Sequence, residues 1–364
     1  MRTLPLFVLL LLSVPSLFAQ EMDMSSLSDD FFRLVDQYEN VGAASAYSYE
    51  GEMLWMSSAG YANRTTKEEF TIDTKSRIAS IAKPMTAIAI MQLRDQGLLQ
   101  LDNPIKQYLS DWPQKSKKDI TIRHLLAHTS GIKGYKNSKE AASEEQYHSL
   151  QKAMEVFWKR SLAFEPGSDF NYTTYGFVVL GRIIEVISKQ SYADYLQENI
   201  LDPAGMNDTG IEIFGKEVAG KSVLYHYEDA GEVIEAPANN LSNRTPGGGL
   251  YSTVNDLLKF GKATMDGTLI RSESLSEMTQ ISFPCEGCNP YGLGWFLYGN
   301  PGSERDYFGH GGGQYGANTL VILIPSRGAT LVVMSNTSET PDSNVMRFGV
   351  TLLEDVLSMP ATRE

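Results

Sequence analysis

The chain has 364 residues, 42% of them hydrophobic and 21% charged, which supports a sizeable buried core and excludes an intrinsically disordered polymer. Its formal net charge of −13 argues against a grip on nucleic acid or on an anionic membrane surface, since both need clustered Lys and Arg. A small molecule or a peptide is the expected partner, and no Pro/Ser-rich linker or repeat marks a seam between domains.

Residues 1–19 run from Arg2 through the apolar stretch 4–12 to Ser13, Pro15 and the small residue Ala19. That is the layout of a secretory signal peptide, so the mature protein is expected to be exported, periplasmic or secreted, as one domain over residues 20–364. The apolar run falls short of the roughly 20 residues of a permanent membrane helix, and an uncleaved anchor is the alternative. Residues 28–38 predict a helix with Phe31, Phe32, Leu34 and Val35 on its apolar face. Residues 43–49 and 53–58 read as strands joined across Glu50-Gly51-Glu52. A helix is predicted from about Ser80 to Gln96, closed by Gly97, and others at 122–128, 144–158, 175–188 and 192–199. Extended segments return at 294–298, 319–324 and 330–335, and 346–357 closes the chain as a helix. Strands at both ends around a helical middle predict an α+β fold, an α/β sandwich. One antiparallel sheet is built from about residues 20–75 and 230–364, with a helical lobe over about 76–229 beside it and a cleft between them.

The chemistry concentrates at Ser80-Ile81-Ala82-Lys83. Residues three apart on a helix share a face, which brings the lysine amine within reach of the serine hydroxyl. Pro84 fits a first helical turn, where its missing N–H would be unpaired in any case. Ser80 is thereby placed at the positive end of a helix, a position that favours the oxyanion formed when a carbonyl is attacked. A lysine there can act as base if burial depresses its pKa. The spacing alone is not specific, because Ser130-Gly131-Ile132-Lys133 and Ser149-Leu150-Gln151-Lys152 share it. Context separates them: the first meets a helix-breaking glycine, the second lies in a polar segment, and only Ser80 opens an apolar helix rich in Ala, Ile and Met.

Ser80-Ile81-Ala82-Lys83-Pro84-Met85-Thr86-Ala87 resembles the first motif of the serine β-lactamase and penicillin-binding-protein superfamily, in the branch of class C β-lactamases, D-Ala-D-Ala carboxypeptidases and related esterases. Leu101-Asp102-Asn103-Pro104 and the segment from Ile120 to Gly131 resemble what those proteins carry after the nucleophile helix. Tyr172-Thr173-Thr174 resembles their second motif, usually Tyr-Ser-Asn or Tyr-Ala-Asn. Gly247-Gly248-Gly249-Leu250-Tyr251-Ser252-Thr253 resembles a later segment. His310-Gly311-Gly312-Gly313 stands where others carry Lys-Thr-Gly or His-Thr-Gly. The resemblance spans about residues 30–355 and implies a β-lactamase/transpeptidase-like fold and a serine hydrolase that forms an acyl-enzyme. It assigns Ser80 as nucleophile, Lys83 as base, Tyr172 as proton relay and His310 as its tuner. The oxyanion falls to the backbone N–H groups of Ser80 and Gly313, with Thr174 and Gly312 lining the substrate site.

Two departures bear on the substrate. Thr174 replaces an asparagine, offering a shorter side chain with one donor instead of two. Gly311 replaces a threonine that helps hold a substrate carboxylate, and His310 in place of lysine is at best a part-time cation near neutral pH. Both weaken the case for efficient penicillin hydrolysis, and they sustain an alternative in which the protein is a non-catalytic sensor or binding module. Within the enzyme reading the order is carboxylesterase, D-amino-acid peptidase or carboxypeptidase, then weak β-lactamase.

Other features call for no cofactor. Cys285 and Cys288, the only cysteines, read as a short disulfide in a turn of an exported protein; the helix of a redox Cys-X-X-Cys and the further ligands of a zinc site are not visible. His124 and His128 have the i, i+4 spacing of metal ligands but lack the glutamate of His-Glu-X-X-His, so capping and packing are their expected roles and no metal is expected. The glycine runs 247–249 and 311–313 are not followed by Lys-Ser/Thr and read as points of close backbone approach. Gly-X-Ser-X-Gly is absent, which counts against an α/β-hydrolase.

Overall fold

The computed structural model describes residues 25–37, 40–228, 231–284, 290–299, 306–338 and 345–358. The signal-like segment 1–19 and the pair Cys285 and Cys288 lie outside them. The segment Gly42–Tyr49 (β1) is buried along its whole length, as are Ala317–Ile324 and Ala329–Ser335. Successive side chains of a strand point to opposite faces, and these strands bury both. Ala44, Ala46, Val321, Leu323, Val332 and Met334 join one core, whereas Ala43, Tyr47, Leu320, Ile322, Leu331 and Val333 join another.

They form the middle of a seven-stranded antiparallel sheet in the order Glu68–Glu69, Glu52–Asn63 (β2), β1, Ala329–Ser335, Ala317–Ile324, Phe308–Gln314, Phe296–Leu297. β1 pairs with the 329–335 strand, Ala43 opposite Ser335 and Ser48 opposite Thr330, so the two ends of the chain meet at its centre as the sequence implied. The β1–β2 hairpin turns through Glu50 and Gly51 at φ of 50° and 82°, the positive values that a two-residue type I′ turn requires. On one face lie Ser25–Gln37 (α1) and the helix Val345–Ser358; Val254–Met265 covers the other. The buried helix Ala82–Asp95 (α2) runs through the helical part, packed on Thr174–Ser188. Gly97, at φ 76°, follows its end. Among the described residues no helix is long and apolar enough to cross a membrane.

Several elements depart from expectation, each for a local reason. The helix expected over 144–158 is confined to Leu150–Glu155, because the Ser149 hydroxyl accepts from Lys152 N and starts it there; a separate turn, Ser138–Ala141, begins at Asn137. The helix from Ile122 stops at Leu126, and His128 turns left-handed at φ 59°. Tyr192–Leu196 widens into the π-turn Gln197–Leu201. The 294–298 segment pairs only at Phe296–Leu297. Thr245–Gly248 forms a short helical turn that was not anticipated, although the close approach read for this glycine run is present, a Cβ on Gly247 lying 2.7 Å from Thr174. The helices Val254–Met265 and Ser272–Met278 were not anticipated, nor was a small sheet formed by Ser76–Arg77, Leu250–Ser252 and Gly210–Ile211.

On α1 the apolar face is narrower than predicted. Phe31 is fully buried, edge-on to Phe348 at 5.4 Å and Trp55 at 6.3 Å between ring centroids, whereas Phe32 is 46% exposed. Phe31→Ala is expected to lower the unfolding free energy by about 3–5 kcal/mol and Phe32→Ala by less than about 1 kcal/mol, measured by urea denaturation.

Candidate active site

Ser80 lies in a single 3₁₀ turn, Ala79–Ile81, that leads directly into α2, so it precedes the α-helix by two residues instead of opening it. Ala79 adopts a positive φ of 45°, outside the comfortable range of a residue with a Cβ, and this kink delivers Ser80 to the cleft. Lys83, the second residue of α2, is completely buried. Its Nζ lies 3.0 Å from Ser80 Oγ, 2.8 Å from the Gly247 carbonyl oxygen and 3.3 Å from Thr174 Oγ1. It also stands 4.8 Å above the Tyr172 ring and 5.7 Å from that of Phe177. Burial holds the lysine pKa well below its ordinary value, and the positive charge of Arg244 lowers it further. The three polar contacts suit a free amine: two N–H donate to Gly247 O and Thr174 Oγ1, and the lone pair accepts the Ser80 O–H. The two look-alike sequences differ. Lys133 turns to Ser161 Oγ at 3.1 Å, and Lys152 pairs with Glu155 at 3.0 Å.

Tyr172 and His310 arrive from opposite sides, one just before the helix Thr174–Ser188 and one on the strand Phe308–Gln314. The Tyr172 hydroxyl hydrogen-bonds Ser80 and stands 3.5 Å from His310 Nε2. Although Tyr172 exposes 36% of its surface, its hydroxyl end is closely surrounded, and that desolvation raises the phenol pKa against the opposing pull of Ser80. His310 is buried; its Nδ1 lies 2.6 Å from Gly311 O. Only an N–H can satisfy a carbonyl oxygen, so Nε2 carries the lone pair and accepts from a tyrosine hydroxyl. Burial, and secondarily the Lys83 charge, pull the His310 pKa down to about 3 despite the Gly311 hydrogen bond. The imidazole is therefore neutral throughout the physiological range, which corrects the reading of a part-time cation.

Gly312 explains the glycine run. A Cβ there would lie 2.3 Å from Ile78 O and 3.2 Å from Ser80 N, so the strand backbone presses directly on the Ser80 turn. Gly313, the next residue, lines a cavity of about 410 Å³ with Tyr135, Asn239, Arg244 and Gln314; Ser80, Lys83, Tyr172 and His310 are not among its lining residues. Thr174 stands at the start of its helix within reach of Lys83, in the manner expected of the residue it replaces.

The two histidines of 124–128 separate into different tasks. His124 Nδ1 accepts from Thr121 N at 3.1 Å while His124 N donates to Thr121 Oγ1 at 3.2 Å, a reciprocal capping box; burial, and secondarily Lys118, lower its pKa to about 4. His128 is fully buried beneath Tyr172, 4.3 Å between ring centroids, and its Nδ1 accepts from Thr173 N. Its Nε2 has no partner among the described residues.

Sequence reasoning missed Tyr291, whose buried hydroxyl lies 3.2 Å from His310 Nε2, nearer than that of Tyr172. Burial drives its pKa well above that of a free phenol, so it is a fixed donor. The signal available was the dense run Tyr291-Gly292-Leu293-Gly294-Trp295, a loop pattern that places an aromatic by close backbone packing. Arg244 and Tyr135 were missed as well. The Tyr135 hydroxyl reaches Thr174.

A half-buried serine beside a fully buried lysine, between a helical part and an antiparallel sheet, defines a serine β-lactamase-like hydrolase fold, and comparison with known proteins agrees. The Beta-lactamase family model matches residues 18–354, and the chain belongs to that family. The human mitochondrial serine beta-lactamase-like protein LACTB is 26% identical over 83% of this chain and 72% of its own length. The octameric penicillin-binding protein homologue from Pyrococcus abyssi superposes with a TM-score of 0.80 at 25% identity, covering 92% of this chain and 78% of its own. The D-amino acid amidase from Ochrobactrum anthropi SV3, complexed with D-phenylalanine, gives 0.78 at 25% identity over 91% of this chain and 99% of its own.

Gly312→Ala has no room for its methyl group against the Ile78 carbonyl. It is expected to slow covalent labelling of Ser80 by a fluorophosphonate by about tenfold or more, since misplacing a reacting group by about 1 Å is costly, while the far-UV circular dichroism stays native; unchanged labelling would contradict the close approach.

Proposed function

We propose that this protein is a serine hydrolase that cleaves an ester or amide through an acyl-enzyme on Ser80. The observation that carries the reading is the buried amine of Lys83, 3.0 Å from Ser80 Oγ and held toward its uncharged form. In the proposed reaction the Ser80 proton passes to the Lys83 lone pair as Oγ bonds to the substrate carbonyl carbon. The carbonyl electrons move onto oxygen, where the backbone N–H groups of Ser80 and Gly313 are the assigned donors. Collapse of this intermediate breaks the bond to the leaving group, which takes the proton from Lys83 through the Tyr172 hydroxyl. Water then attacks the acyl carbon while its proton passes through Tyr172 to Lys83; collapse of this second intermediate breaks the bond to Oγ, releases the carboxylic acid and returns the proton from Lys83 to Ser80.

The raised pKa of Tyr172 supports a neutral phenol that relays protons in place of a standing phenolate base. The neutral His310 lone pair supports an orienting role, shared between Tyr172 and Tyr291. A neutral His310 followed by Gly311 also removes the charge that would hold a penicillin carboxylate at that motif, which favours esters over β-lactams. Amide cleavage stays within the reading because one structural neighbour is a D-amino acid amidase. We further propose export through the signal-like residues 1–19.

Turnover of short-chain p-nitrophenyl esters, a chromogenic cephalosporin and a D-Ala-D-Ala peptide by wild type and Ser80→Ala tests the proposal. Ester hydrolysis is expected to be fastest, and Ser80→Ala is expected to abolish both turnover and fluorophosphonate labelling. Tyr172→Phe should reduce kcat/KM by roughly 10²–10⁴-fold. A labelling burst with no sustained turnover on any substrate would favour the sensor reading instead, and labelling that survives Ser80→Ala would refute the assignment.

The pH profile provides a separate check. Because His310 stays neutral down to about pH 3, kcat/KM between pH 5 and 8 should carry no limb that disappears in His310→Gln. A limb near pH 6.5 lost in that variant would show that the imidazole titrates.

A further inference from the structure

Resting on the hydrolase reading, we propose that His128 is the positioning residue for Tyr172: it clamps the peptide groups on both sides of that tyrosine and so aims the phenol at the leaving group. Tyr172 needs such support. Residues 171–173 belong to no helix or strand, and the Tyr172 side chain is 36% exposed, so neither a regular hydrogen-bond ladder nor burial alone fixes its hydroxyl beside Ser80. Two contacts from one residue do. The Asn171 N–H donates to the His128 carbonyl oxygen at 2.9 Å, and the Thr173 N–H donates to His128 Nδ1 at 3.2 Å. The imidazole itself packs on the phenol ring, 4.3 Å between centroids.

The ring is polar at a cost. An Nδ1 that accepts a backbone N–H is the bare nitrogen, so the proton sits on Nε2, and Nε2 finds no partner among the described residues although the side chain is fully buried. A buried donor left unpaired is destabilising. His128 also turns left-handed at φ 59°, a conformation unfavourable to most residues with a Cβ. Packing accounts for neither cost, because the rings of Phe170, Phe177 and Tyr291, at 6.0, 5.3 and 4.8 Å between centroids, would also pack on a phenylalanine. What a phenylalanine lacks is the acceptor for the N–H of Thr173, a residue only 2% exposed. The clamp bears on which substrates are cleaved. A reacting group misplaced by about 1 Å can lose about 10²-fold in rate, and the proton carried by Tyr172 matters most for a basic leaving group. The alkoxide of an alkyl ester and the amine of an amide need that proton, p-nitrophenolate needs it less, and fluoride leaves without it.

The experiment compares wild type with His128→Asn, His128→Leu and His128→Gln. Asn and Leu have nearly the same shape, but Asn places Oδ1 where Nδ1 stood and accepts the left-handed turn. Gln keeps a polar end near Nε2 without the Thr173 acceptor, and it carries the comparison if the leucine variant does not fold. Three rates are measured: kcat/KM for ethyl butyrate, kcat/KM for p-nitrophenyl butyrate, and labelling of Ser80 by a fluorophosphonate. His128→Leu is expected to lower the ethyl-to-p-nitrophenyl ratio by about tenfold or more, with labelling within about threefold of wild type. His128→Asn should recover most of the ratio, and His128→Leu added to Tyr172→Phe should change it no further. A merely structural role would lower all three rates together. The proposal is overturned by a ratio lowered equally in the Asn and Leu variants, by one untouched in the Leu or Gln variant, by labelling that falls as far as the ethyl ester rate, or by a further fall in the Tyr172→Phe background. If wild type lacks Ser80-dependent turnover of either ester, or Tyr172→Phe leaves the ratio unchanged, the hydrolase or relay reading fails separately. Crystal structures of the variants then decide: a Tyr172 hydroxyl displaced from Ser80 with Leu or Gln but not with Asn supports the clamp, and one that stays in all or moves in all overturns it.

Discussion

The site depends on an amine taken out of water. An ammonium buried at the Lys83 position, with another cation nearby and no carboxylate in hydrogen-bond contact, is strongly disfavoured, so the fold itself selects the basic form. The local hydrogen bonds agree, because the Gly247 carbonyl and the Thr174 hydroxyl use up the two amine hydrogens and leave the lone pair for Ser80. Every element around the cleft can be understood by what it contributes to this arrangement. α2 buries the stem, the Thr245–Gly248 turn supplies the carbonyl, and the helix beginning at Thr174 supplies the hydroxyl.

A second constraint comes from the sheet. Its two central strands come from opposite ends of the chain, so the cleft wall carrying His310 is fixed only once the whole chain has folded. That wall touches the Ser80 turn through backbone at Gly312, which makes the nucleophile's position a property of tertiary packing more than of its own helix. The aromatic cluster of Tyr172, Tyr291, Phe296 and His128 around His310 then excludes water and holds the imidazole in one tautomer. Neutral groups of fixed orientation replace the mobile charges of an open site, and polar contacts in such surroundings are stronger than they would be in water.

Much of this was legible in the sequence because it follows short-range rules. The Ser80–Lys83 pairing is a consequence of helical spacing, the hairpin follows from Glu50-Gly51, and the strand segments at both ends of the chain follow from their β-rich composition between turn residues. What stayed hidden depends on tertiary context. The length of the helix at Leu150 was decided by which serine capped it. Glycine-rich 308–314 has weak strand propensity, yet it pairs because Ala317–Ile324 presents an unpaired edge to it. Tyr291 carries no motif and is brought to His310 by a glycine-rich loop.

The charge state of Lys83 is open to direct observation by ¹⁵N NMR at the side-chain nitrogen, assigned by loss of the signal in Lys83→Met. The account requires a free-amine shift at neutral pH, with protonation only at pH values well below those of an exposed lysine. An ammonium signal that persists into the ordinary lysine range would mean that Lys83 cannot accept the Ser80 proton, and the proposed chemistry would have no base.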